Sequence, residues 1–245
     1  MQTTPELHES RIHIDPGFQW DAQDAYLFDI DGTLLRDLDA IHMSTFVPSI
    51  QHVTGVEVSL EGVPVQGSTD TAILREACRR AGIAANILEP QIEAILEAMR
   101  LSLTEQRGKL RLLLMPGVEA ALAHLARCGA LLGVATGNLE TIGWIKIEEA
   151  GLREWFRFGG FSDRFPIRSE LVANAARKAR EMSSPDASVC VIGDTPRDIE
   201  AAHANSLPVI AVATGRYSFD TLVEFKPQAC ASSLADLLAH TEVAS

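Results

Sequence analysis

The chain has 245 residues, of which 47% are hydrophobic, with a mean hydropathy of +0.08, a formal net charge of −12 and a pI near 5.0. Such a length can bury a sizeable core, and such a composition excludes a disordered chain. The acidic balance argues against a nucleic-acid partner, which needs a clustered basic surface, but leaves room for a small anionic substrate held by a divalent cation and a basic side chain.

The N-terminal stretch MQTTPELHESRIHIDPGF has no basic start and no apolar segment, so it does not read as a secretory signal, and residues 1–23 read as a polar leader. No apolar run approaches the ~18 residues that span a bilayer, so no membrane partner is expected. Ala25 to Phe28 form a short apolar run with acids at its end, the pattern of a buried parallel strand. From Leu38 to about Leu110 the texture is helical. HMSTFVPSIQHV, TAILREACRRAGI and QIEAILEAMRLSL carry apolar residues at helical spacing, and no strand is expected among them.

After MPGV at 115–118, strands and helices alternate. VEAALAHLARCG is a helix stopped by Gly129, ALLGVAT a strand, and LETIGWIKIEEAGL a helix closed at Gly151. FRFGGFS, SELVANAARKAREM, SVCVIGD, DIEAAHANS, PVIAVATG and LADLLAHT continue the alternation. The pattern predicts an α/β fold, a doubly wound Rossmann-like parallel sheet with helices on both faces and a small all-α domain inserted after the first strand. The boundaries are residues 1–35 and 114–245 for the core and 36–113 for the insert. The four cysteines are widely spaced. Cys128 and Cys190 lie in or beside apolar runs and read as buried hydrophobes, which fits a reducing, cytoplasmic setting. Oligomeric state is not legible.

Ligands of open α/β sheets bind outside the carboxyl ends of the strands. Four such ends carry Asp29 and Asp31; Thr136, Gly137 and Asn138; Arg168; and Asp194 followed by Asp198. Neighbouring strands would bring these groups to one crevice. Clustered carboxylates are tolerated where a hard cation neutralises them, and Mg²⁺ favours a few carboxylates, water and a phosphate oxygen. A carboxylate beside that cation can attack phosphorus, and an acid two residues on can exchange a proton with the leaving group and then with water. The Thr136 hydroxyl and the N–H groups around Gly32 and Gly137 would hold phosphoryl oxygens, with Arg168 offsetting their charge.

DIDGTLL, VATGN, a basic residue about thirty positions later and GDTPRD, in that order, resemble the four motifs of the haloacid dehalogenase superfamily of phosphohydrolases. The resemblance implies Asp29 as nucleophile and Asp31 as general acid/base. It further implies Thr136 as phosphate-binding hydroxyl, and Asp194 as Mg²⁺ ligand with Asp29 and the backbone carbonyl of Asp31, supported by Asp198. The insert stands where phosphoglycolate-phosphatase-like members carry a helical cap, and GSTD at 67–70 resembles their cap loop, which suggests Thr69 as a substrate contact. The third motif departs from the family, since SDRFPIRSEL has Arg168 where a lysine is usual; Arg164 and Lys178 are poorer placed.

Plainer readings stand beside these. Asp198 suits the first turn of a helix, while Ser68 or Thr69 and Asn138 suit helix caps. His42, His124 and His203 read as helix-surface residues, and Trp144 and Trp155 as packing. The expected activity is Mg²⁺-dependent hydrolysis of a small phosphorylated metabolite through an aspartyl-phosphate. The alternatives are a sugar-phosphate mutase of the same fold and a non-catalytic phosphate-binding module. Asp31 disfavours a dehalogenase, and an insert with Lys109 as its lone lysine disfavours a phosphonate hydrolase.

Overall fold

A computed structural model describes residues 10–244. In chain order the elements are β1 (Ile12–Ile14), β2 (Ala25–Phe28), β3 (Leu35–Asp37), α1 (Ile41–Ser44), α2 (Phe46–Thr54), α3 (Asp70–Arg80), α4 (Ala85–Leu88), α5 (Ile92–Gln106) and β4 (Leu112–Leu114). They continue with α6 (Val118–Arg127), β5 (Leu131–Ala135), α7 (Glu140–Glu149), β6 (Phe158–Gly160), α8 (Arg168–Met182), β7 (Val189–Gly193), α9 (Pro196–Ala204), β8 (Val209–Val212), α10 (Phe219–Glu224), β9 (Ala229–Ala231) and α11 (Leu234–Ala244).

Seven strands form one sheet in the order β1-β9-β8-β7-β2-β5-β6, parallel throughout except for the β1–β9 pair. β2 lies inside the sheet between β5 and β7, and all four of its residues are buried. Both faces of that strand are used. Tyr26 and Phe28 enter an apolar cluster with α6 and α11, while Ala25 and Leu27 enter the opposite cluster with α8, α9 and α10. This accounts for a strand that is apolar at successive positions rather than alternating.

The chain leaves and re-enters the sheet region through β3 and β4, which pair antiparallel with Leu35 opposite Leu114. Between them, α1 to α5 assemble an apolar cluster from Phe46, Ile50, Leu74, Ile95, Met99 and Leu103. Leu139, Ile142 and Ile145, on or just before α7, complete that cluster. The helical segment is therefore packed on α7 rather than closed on itself. No helix among the described residues is long and apolar enough to cross a membrane.

Three expectations need correction. The stretch read as a leader holds β1, and Trp20 beyond it is buried; residues 1–9 lie outside the described residues. The signal was weak because a three-residue edge strand carries little periodicity. The insert, expected to lack strands, begins and ends in the β3–β4 ribbon. Cys128 is exposed rather than buried, because it caps the C-terminus of α6, whereas Cys190 is buried in β7.

The segment before β2 is tied to the core by the buried Tyr26 hydroxyl, which donates to the Trp20 carbonyl at 2.7 Å and accepts from the Gln23 N–H at 3.0 Å. Tyr26→Phe leaves both backbone groups without that partner. A loss of about 1–2 kcal/mol in urea unfolding is expected, and no loss would show that residues 15–24 are not held by this contact.

Candidate active site

The ladder registers bring the motif residues to one edge. Phe28 lies opposite Val134 of β5 and Ile192 of β7, so Asp29, Thr136 and Asp194 follow one or two residues beyond the same level. A cavity of about 490 Å³ opens there, lined among others by Asp29, Asp31, Thr136, Asn138, Arg168 and Asp194. Residues of the helical segment, among them His42, Gly67, Ser68 and Asp70, form its opposite wall.

The turn after β2 explains the first motif. Ile30 is fully buried, while Asp29 and Asp31, on the alternate side, line the cavity. Gly32 adopts φ +91°, and a Cβ there would lie 2.3 Å from Oδ2 of Asp194. Its N–H donates to the Leu35 carbonyl at 2.8 Å, so Gly32 supplies space rather than the phosphate donor expected from the sequence. Gly215, after β8, closes the other side of Asp194, with a Cβ position 1.7 Å from Oδ2.

Asp29, Asp194 and Asp198 bring carboxylate oxygens within 4.8 Å of one another, all three being buried. Arg168, at the N-terminus of α8, is the cation among them. Its Nη2 lies 3.0 Å from Oδ1 of Asp29 and donates to Oδ1 of Asp198 at 2.5 Å, while Nη1 donates to the Gly67 carbonyl at 2.9 Å. Its buried Nε has no hydrogen-bond acceptor among the described residues. Burial would lower the Arg168 pKa, but Asp198 and Asp29 outweigh it and push it up. Asp198 also accepts from the Thr195 N–H at 3.0 Å and its Oγ1 at 2.7 Å, within a capping box that starts α9. The helix-capping reading and the site reading of Asp198 thus describe one residue, and both of its oxygens are engaged.

One arginine does not neutralise three acids. Burial first, then Asp198 and Asp31, pushes Asp29 up to about 7 against the opposing pull of Arg168. Burial, Asp29 and Asp198 push Asp194 well up, against a 3.0 Å hydrogen bond from Thr33 and the charge of Arg168. The donor set is one that could hold a hard divalent cation, which Asp29 and Asp194 would ligate, while Asp198 is engaged with Arg168 and Thr195.

Asp31 has a different environment. Burial pushes its carboxyl up, but the charge of Lys146, with hydrogen bonds from Lys146 and Asn138, outweighs that and holds it below the usual range. Lys146 on α7 donates to Oδ1 and Oδ2 at 2.8 and 2.6 Å, and Asn138 Nδ2 donates to Oδ2 at 2.8 Å. The other Asn138 Nδ2 proton goes to Thr136 Oγ1 at 2.7 Å, which also accepts from the Asn138 N–H at 3.3 Å. With its acceptor positions filled, the buried Thr136 hydroxyl is left to donate. Gly137 allows close approach of the helical segment: a Cβ would lie 2.4 Å from the Ser68 carbonyl, and its own carbonyl accepts from the Asp70 N–H at 2.7 Å.

Thr69 is turned away from the cavity. Its hydroxyl accepts from the Ala72 N–H at 3.2 Å as the N-cap of α3 and donates to the Pro166 carbonyl at 2.6 Å, so the capping reading holds and the substrate-contact expectation does not. His42 is buried against Asp70 and Lys146 rather than on a helix surface, and His124 is half-buried against Asp21 at 2.7 Å. Lys178 donates to the Gly159 carbonyl, outside the cavity lining. Sequence reading missed Lys146, Thr33 and Gly215, misplaced His42 on a helix surface, and took in Asp70 only as part of the 67–70 loop. Lys146 left a signal, a lysine four residues after Ile142 on the apolar face of its helix.

The raised carboxyls give the apo-protein a defined pH dependence. Asp29 rises on folding from its ordinary 3.8 to about 7. Its contribution to stability is therefore present below about 3.8 and is lost as pH rises to about 7. A divalent cation offsets that loss, so added Mg²⁺ is expected to raise Tm more at about pH 8 than at about pH 5.5. An equal rise at both, or none, counts against a metal held by these acids.

Comparison with known proteins agrees with this geometry. Residues 26–212 match the model of the haloacid dehalogenase-like hydrolases. A phosphoglycolate phosphatase of Synechococcus elongatus is 29% identical over 215 residues, covering 87% of this chain and 95% of that protein. CbbY from Rhodobacter sphaeroides, solved in complex with phosphate, superposes with a TM-score of 0.64 at 20% identity, covering 88% of this chain and 99% of its own. A putative β-phosphoglucomutase from Bacteroides vulgatus gives 0.64 at 22%, covering 92% and 90%. The family match spans both walls of the cavity and every acid in it, and the chain belongs to the haloacid dehalogenase-like hydrolases.

Proposed function

We propose that the protein is a Mg²⁺-dependent phosphatase that hydrolyses a small phosphate monoester through an aspartyl-phosphate on Asp29. The observation that carries this reading is the crowding of Asp29, Asp194 and Asp198 around Arg168, beside an Asp31 held in a separate charge environment. Two carboxylates two residues apart, differently perturbed, suit two different tasks.

In this reading Asp29 attacks phosphorus while Arg168 and the Thr136 hydroxyl hold the non-bridging oxygens. The buried Arg168 Nε supports that role, since it is a donor with no acceptor among the described residues. The cation, when bound by Asp29, Asp194 and the Asp31 backbone carbonyl, supplies charge neutralisation at the phosphoryl group. Asp31 gives its proton to the leaving oxygen as the P–O bond breaks. It then takes a proton from the water whose oxygen displaces Asp29 from phosphorus. A phosphate brought beside Asp31 adds like charge, which raises its pKa and favours the protonated form that the first step needs.

The helical segment serves as a cap that excludes bulk water, and its GSTD loop reaches the site through Gly67, Ser68 and Asp70. Phosphoglycolate is the first substrate to test, because the relative from Synechococcus elongatus carries that activity in its name and matches almost end to end. The purified protein with Mg²⁺ and phosphoglycolate is expected to release phosphate. Asp29→Asn is expected to lower kcat by at least about 1,000-fold, as loss of a covalent nucleophile does. Unchanged turnover in that variant would remove the nucleophile assignment. Phosphate moving between sugar hydroxyls without release would identify a mutase instead.

A further inference from the structure

Lys146 is buried, with 1% of its side chain exposed, in a helix that otherwise presents Ile142 and Ile145 on the same side. Its ammonium has three protons, and three partners surround it: the Asp31 carboxylate at 2.6 Å, Asn138 Oδ1 at 2.8 Å and His42 Nδ1 at 3.0 Å. The set is complete. A lysine so engaged has no donor left for a substrate anion, so it is not a substrate-binding cation.

The third partner comes from the helical segment. His42 Nε2 lies 3.1 Å from Oδ2 of Asp70, which accepts, so the proton is on Nε2 and Nδ1 is the acceptor that meets Lys146. The same Asp70 oxygen accepts the Leu139 N–H at 2.8 Å, and the Asp70 N–H donates to the Gly137 carbonyl at 2.7 Å. A continuous line of charge-assisted hydrogen bonds thus runs from Asp70 through His42 and Lys146 to Asp31, crossing from the helical segment to the core. Its last link fixes both oxygens of Asp31, since Asn138 holds Oδ2 from a second direction.

We propose that Lys146 is a positioning residue for Asp31, and that His42 and Asp70 make this positioning depend on the seating of the helical segment. The inference rests on Asp31 being the proton-transfer group, as argued above. Lys146 gains and loses no proton in the reaction. It holds the Asp31 carboxyl at one angle to the leaving oxygen, and the segment that covers the cavity supplies the acceptor that keeps the lysine in place. A group held this way is worth its orientation, and proton transfer by a positioned side chain contributes about 10²- to 10⁴-fold.

Leaving-group dependence separates this role from a merely structural one. Lys146→Met keeps the length of the side chain and removes the charge. Its kcat/KM for an alkyl phosphate such as phosphoglycolate is expected to fall about 100-fold, and that for 2,4-dinitrophenyl phosphate, whose leaving group needs no proton, less than about 5-fold. Equal losses on both substrates, or an effect confined to KM, would overturn the proposal. His42→Ala is expected to show the same selectivity at about a tenth of the size, and little further loss when combined with Lys146→Met, because both act through one group. It also keeps the test open if Lys146→Met fails to fold, since full activity in His42→Ala on the alkyl ester would refute the coupling. Asp31→Asn is the reference. If it lacks the leaving-group selectivity, the reading of Asp31 fails; if it shows the selectivity and Lys146→Met does not, the role of Lys146 alone fails.

Discussion

The repulsion among Asp29, Asp194 and Asp198 is the constraint around which the rest of the cavity is arranged. Three buried carboxylates whose oxygens come within 4.8 Å have one guanidinium between them. Such an arrangement is unfavourable on its own, and each neighbouring feature answers it. Thr33 donates to Asp194, a capping box takes one oxygen of Asp198, and Arg168 is divided between two acids. Gly32 and Gly215 leave the Asp194 carboxylate the space that side chains would fill. The remaining negative charge is what a divalent cation would neutralise. Folding here gathers three buried acids that one guanidinium does not neutralise.

The second carboxylate is kept apart from this by α7. That helix belongs to the sheet domain, yet one face completes the apolar cluster of the helical segment while the same side carries Lys146 toward Asp31. Packing and charge are therefore coupled in one element. Arg100 and Arg107 add ion pairs across the boundary, to Asp163 and Glu149, at the surface end of the same contact. The largely exposed Arg107–Glu149 pair contributes little, whereas the buried Asp31–Lys146–His42–Asp70 line loses heavily if one member is removed.

Much of this was legible in the sequence, and the reasons are local. The strands and their carboxyl ends follow from apolar runs that end in acids or glycines, whereas which strands are neighbours was left open; the observed pairing of β2 with β5 and β7 is what brings Asp29, Thr136 and Asp194 to one level. Arg168 was found because a basic residue was needed near a strand end. The residues that escaped notice act across the boundary between the two parts of the molecule. His42 lies 28 residues from Asp70 and 104 from Lys146, and no periodicity links them. Thr69 failed as a substrate contact for a related reason: the same hydroxyl satisfies a helix cap and a carbonyl 97 residues away, which only the packed structure reveals. The β1 strand was missed because three residues at a sheet edge are held by their partner strand rather than by their own pattern.

The most direct test is a crystal structure grown with Mg²⁺ and a phosphate analogue. The account predicts one ion about 2.1 Å from oxygens of both Asp29 and Asp194, with Asp198 still on Arg168 and Asp31 still on Lys146. An ion bound elsewhere, or a cavity that takes the analogue with Asp29 and Asp194 uncoordinated, would contradict it.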